Sequence, residues 1–156
     1  MARYHVDNRF AGTQQNITTT YKSQTAIAAA TATLCRGRAV GFAVGADGAP
    51  NATDCQIVYT VERVTAAGTG TSATPNPLGP DVASRSVATV NNTIEGTYTL
   101  PIWSRVLNQR ASMQWVAQDT DAMLIWPATN LNGVIGLALS PTYAAAVFFG
   151  IDYEDL

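Results

Sequence analysis

Short runs of Val, Ile, Thr and aromatic residues, broken by Gly, Pro, Asn and Asp, dominate this chain. That is the chemistry of strands and turns. Residues 54–64 alternate: Cys55, Ile57, Tyr59 and Val61 fall on one side, Gln56, Thr60 and Glu62 on the other. Residues 111–118 do the same, with Met113, Trp115 and Ala117 opposed to Ser112, Gln114 and Gln118. Near the C-terminus Val147, Phe149, Ile151 and Tyr153 oppose Gly150, Asp152 and Glu154. A period of two over such lengths predicts half-buried antiparallel strands. Further strands are expected over 16–21, 39–44, 85–91, 122–126 and 134–139. Turn residues separate them at 45–50, 118–121 and 130–133, the last ending in Asn132-Gly133.

Two segments depart from this rhythm. Residues 23–34 are rich in Ala and suit either a short helix or a strand; a strand or irregular backbone is favoured. Residues 66–82 hold three Pro and three Gly, which exclude a central strand. They read as a long loop, stiffened over 75–80 and suited to packing on a neighbour, with Pro75, Pro77 and Leu78 as contact residues. Residues 1–15 show little strand pattern. Arg3, Tyr4, Arg9 and Phe10 interleave aromatic and cationic side chains ahead of a flexible stretch, so they are expected to form an arm that docks, either on a partner such as a sister subunit or on its own domain. The expected organisation is an N-terminal arm over 1–15 and a single β-sandwich domain over 16–156. The fold class is all-β: an antiparallel, jelly-roll-like sandwich of about eight strands.

Composition narrows the function. The chain has 156 residues, enough for one domain with one core. Only 13% are charged, against about 25% in an average soluble domain. Nine basic residues face eleven acidic ones without a basic block, which argues against nucleic acid as a partner. Eight of the nine are Arg, the cation favoured at interfaces. Residues 133–151 are apolar but interrupted by Ser140, Pro141 and Thr142, so they read as two buried strands and no membrane contact is expected. Cys35 and Cys55 do not make a disulfide framework; free thiols and a single bridge both stay open.

No catalytic or metal chemistry is expected. His5 is the sole histidine, so a Ser-His-Asp or Cys-His arrangement would have to recruit it from the arm and a zinc site would have no second His. There is no Gly-x-Ser-x-Gly, no Cys-x-x-Cys and no phosphate-binding Gly loop. The remaining binding chemistry is aromatic: Trp115 reads as core, whereas Trp103 after Pro101 and Trp126 before Pro127 are candidates for exposed stacking surfaces.

Four stretches carry a resemblance to a known group. They are Asn16-Ile17-Thr18-Thr19-Thr20-Tyr21-Lys22, the loop 65–80 that follows Ile57-Val58-Tyr59-Thr60-Val61, residues 107–117 (Leu-Asn-Gln-Arg-Ala-Ser-Met-Gln-Trp-Val-Ala), and Ile125-Trp126-Pro127-Ala128-Thr129-Asn130. Together they resemble the capsid decoration, or cement, proteins of tailed bacteriophages. The resemblance implies a jelly-roll-like domain made in the host cytoplasm and seated on the capsid exterior. Its partners would be the major capsid protein and sister copies in a homotrimer, and it would need no cofactor. The alternative is a receptor- or carbohydrate-binding module of a phage fibre or tail.

Overall fold

The computed structural model describes residues 2–9, 11–119 and 124–156; none of these is helical. They form twelve strands in two antiparallel sheets. In chain order these are β1 (Arg3–Asp7), β2 (Lys22–Ala29), β3 (Gly37–Ala46), β4 (Gln56–Ala66), β5 (Thr69–Ala73), β6 (Asn76–Pro77), β7 (Ser86–Ile94), β8 (Thr97–Asn108), β9 (Ser112–Val116), β10 (Leu124–Trp126), β11 (Gly133–Leu139) and β12 (Val147–Asp155). The first sheet runs β10-β3-β12-β1-β6, with β9 also paired to β3; the second runs β5-β7-β2-β11-β4-β8.

Eight positions make a jelly roll: β1, β12, β3 and the β9/β10 pair face β2, β11, β4 and β8. Successive strands of this frame alternate between the sheets, except where β4 and β8 pair directly. Hence the expectation of about eight strands describes the frame, and β5, β6 and β7 are additions inserted between β4 and β8. Residues 66–82 are accordingly not one loop. They carry β5 and β6, both at sheet edges, where Pro77 removes no donor from a central ladder.

The core lies between the sheets and follows the alternation. Ile57, Tyr59 and Val61 of β4 meet Phe149, Ile151 and Tyr153 of β12. Aromatic rings link into two runs. Tyr59, Phe149, Phe42 and Trp103 form one, with Trp115 stacked on Phe42 at a centroid distance of 5.1 Å. Tyr4, Tyr153 and Trp126 form the other. Such pairs add about 0.5–1.5 kcal/mol each beyond area burial. Trp126 lies against Gly37, where any Cβ would overlap its ring.

Three expectations need correction. The described residues of the range 1–15 do not form an arm docked on a partner: Arg3–Asp7 form β1, inside the first sheet between β12 and β6, with Tyr4 and Val6 in the core. Residues 16–21 are not a strand. Only Ile17 makes a bridge, to Ala145, and strand structure starts at Lys22. Residues 97–108, for which the alternation predicts no strand, form the twelve-residue edge strand β8. Of the strand expected over 122–126, residues 122 and 123 lie outside the described set.

A second, smaller core sits on the far side of the second sheet. β4 pairs with β8 and β5 with β7, but the two pairs lie on opposite flanks of β2 and β11. The ribbon they form must therefore cross the outer face of β2 and β11 at residues 66–69 and 94–97. Asn92 donates from Nδ2 to the Ala67 carbonyl there. Ala26, Val64, Ile135 and Leu137 are buried beneath, with Tyr21, Ala67 and Tyr98 packed on them. The Ala-rich stretch is a strand because its small outward side chains let this ribbon lie close, which overrides a weak helix propensity.

Candidate functional site

Alternation along β12 buries Val147, Phe149, Ile151 and Tyr153, so Phe148, Gly150, Asp152 and Glu154 face outward. β1 sets Arg3, His5 and Asp7 beside them, in the register Arg3 to Glu154, His5 to Asp152 and Asp7 to Gly150. Opposite charges thus meet across strands. Glu154 Oε1 accepts from Arg3 Nε at 2.7 Å, and its Oε2 accepts from Arg38 Nε at 2.7 Å. Burial opposes the charge on Glu154, but these bonds outweigh it and hold its carboxyl below the usual range.

His5 lies between two carboxylates: Nδ1 is 2.7 Å from Asp152 Oδ1 and Nε2 is 2.9 Å from Asp7 Oδ2. The arrangement favours the protonated ring, which alone can donate from both nitrogens at once. The Asp152 bond raises its pKa most, burial works against this, and Asp7 adds to it. In that protonated form the ring has no lone pair with which to serve as base or ligand. Among the described residues, no three His, Cys, Asp or Glu side chains are arranged to hold a metal ion. Cys35 and Cys55 are both free and buried, so the possible bridge between them is absent.

Beyond the charged ladder the same face turns shallow. A cleft of about 390 Å³ lies over Ala43 and Gly45, walled by Phe148 and bordered by Arg9, Asp47, Ser112 and Gln114. Phe148 reaches over Gly150: a Cβ built there would lie 3.0 Å from both Phe148 Cζ and His5 Cε1. Arg9 Nε bonds Asp47 Oδ2 at 3.0 Å, and Gln14 Nε2 donates to the same oxygen at 2.9 Å.

The other feature is at the β6 edge. The Leu78 amide donates to the Arg3 carbonyl at 2.8 Å, and Tyr4 Oη donates to the Val82 carbonyl at 3.0 Å. These bonds tie residues 78–82 to β1 while leaving Leu78 59% and Val82 79% exposed. Arg3 and Pro77 are exposed beside them.

Set against the sequence-derived residues, Arg3, Pro77 and Leu78 come together on this surface. Tyr4 and Pro75 are buried and serve as its anchors, which removes them as contact residues. Arg9 lies apart, at the Phe148 cleft. Phe10 lies outside the described residues. Trp103 and Trp126 are not exposed aromatics, being 9% and 0% accessible. Their neighbouring prolines mark an edge strand and a strand end, not the surface, and both rings point between the sheets. Phe148 and Val82 were missed. The signal for Phe148 was present, since the alternation of β12 places a large apolar ring among Gly150, Asp152 and Glu154.

Comparison of the chain with protein-family models, with curated proteins and with solved structures finds no match.

Proposed function

We propose that this protein is a structural component of a virion, a decoration or cement protein that binds the capsid exterior and bridges capsomers as a homotrimer. The sequence resemblance supplies the class. The observation that carries it is the apolar surface of Pro77, Leu78 and Val82 beside Arg3, held to the core by Tyr4. Apolar residues fixed in place dock at little entropic cost, and an adjacent Arg supplies directed bonds. A partner that binds only the assembled shell stabilises that shell, and symmetry turns weak contacts into avidity.

The test uses capsids stripped of the protein. Full-length protein should rebind in copies comparable with the major capsid protein and raise the temperature of shell disruption. Leu78→Asp with Val82→Asp should cut rebinding at least tenfold and leave the protein's own melting curve in place. Absence of rebinding by the unaltered protein sinks the reading. Unchanged rebinding by the double variant moves the docking surface elsewhere.

A further inference from the structure

We infer that the cleft beside Phe148 is a binding site for a neutral saccharide, with one pyranose ring packed on the Phe148 side chain. Three observations converge on this. An outward-facing aromatic ring forms the wall of a cleft of about 390 Å³. The C–H face of a pyranose is apolar and electropositive, which suits the negative face of an aromatic ring. The floor is Ala43 and Gly45, so a flat ring can approach the sheet closely. The border supplies both donors and acceptors: the Arg9–Asp47 pair, Ser112 and Gln114. Vicinal hydroxyls need that mixture, because each one donates and accepts.

Charge selects among ligand classes. Arg9 and Asp47 neutralise each other at 3.0 Å, so the border has no excess charge to attract an anion or a cation. An apolar peptide side chain would desolvate these polar groups and leave their remaining donors and acceptors unused, at a cost to binding. The cleft also continues. A second depression of about 420 Å³ shares Ala46 and Ser112 with it and ends at Gln109 and Arg110. Two joined subsites favour a glycan chain over a single sugar.

This site is separate from the Leu78 and Val82 surface, so the two readings can fail independently. The probes are the methyl glycosides of glucose, galactose, mannose and N-acetylglucosamine, and their disaccharides, presented to the full chain in saturation-transfer NMR. At least one series should receive saturation on its ring C–H protons, with the disaccharide binding several-fold tighter than the monosaccharide. Phe148→Ala should abolish the signal, and Asp47→Asn should weaken binding about tenfold. Phe148→Leu keeps apolar volume without the ring; it should lose the signal too, and it decides the matter if the Ala variant misfolds. All these variants should still rebind stripped capsids. No saturation of any probe overturns the site, and so does an unchanged signal in Phe148→Leu. Monosaccharide and disaccharide of equal affinity overturn the second subsite.

Discussion

Glu62 occupies an outward position on β4, yet it is only 3% exposed. Its Oε2 has no hydrogen-bond partner among the described residues, and burial raises its pKa. A carboxyl with a raised folded pKa costs stability once pH climbs above its unfolded value of about 4.3. Glu62→Gln should therefore raise the melting midpoint at pH 7–8, by about 1 kcal/mol of stability, and leave it unchanged at pH 4. Thermal unfolding at the two pH values decides this. His5 works in the same direction with the opposite group. Its raised pKa gives stability that is complete below about pH 6.5 and is lost as pH rises through the folded value. Asp7 and Asp152 bond its ring nitrogens, and Arg3 and Glu154 pair one register step away. Urea unfolding of His5→Gln should show a flatter profile between pH 6 and 9 than the unaltered chain. The sequence placed Glu62 correctly on a polar strand face but could not reveal its burial. Tyr98 of the distant strand β8 lies near it, and nothing local to β4 announces the burial.

At the level of elements, the strands readable from alternation are those with one buried face and one open face, such as β4 and β12. β8 escaped because it is an edge strand exposed over most of its length, with Pro101 in its middle; neither face is consistently apolar. β1 escaped for a different reason. Its five residues do alternate, Tyr4 and Val6 inward against Arg3, His5 and Asp7, but a short polar segment at a chain end reads equally well as an arm. The structure reverses the consequence. Asn8, just past β1, is buried and bonds Gln24, the Val147 carbonyl and the Phe149 amide. Removal of residues 2–12 should abolish cooperative unfolding, as it strips one edge of β12 and opens the core. Tyr4→Ala, a milder cut, should cost roughly 3–5 kcal/mol. A truncated chain that melts normally would restore the arm. Gly37→Ala makes an independent check on the opposite flank: overlap with the Trp126 ring should destabilise by about 1–3 kcal/mol, seen as a lower urea midpoint.

For the molecule as a whole, period-two patterning was enough to specify an all-β sandwich, because burying one face of many short strands leaves few other solutions. Strand order was beyond it, since among the described residues no two consecutive strands pair with each other. The low charge, 13%, takes its meaning at this scale too. Among the exposed apolar side chains, Leu78 and Val82 stand at the β6 edge, and Leu100 and Val106 stand along the β8 edge at 83% and 52%. A cyclic trimer joins two unlike surfaces of each subunit, so it cannot be made from one patch meeting itself. If Leu78 and Val82 face the capsid, the β8 edge supplies one of the two unlike surfaces of the sister contact, with Pro101 limiting how far strand pairing could extend along it. The proposed homotrimer should then sediment as such at micromolar concentration. Leu100→Asp with Val106→Asp should give monomers of unchanged melting temperature in the monomeric state, whereas Leu78→Asp with Val82→Asp should stay trimeric and lose the capsid. A monomeric unaltered chain would refute the free trimer. Trimers that dissolve only when Leu78 and Val82 are changed would exchange the roles of the two edges.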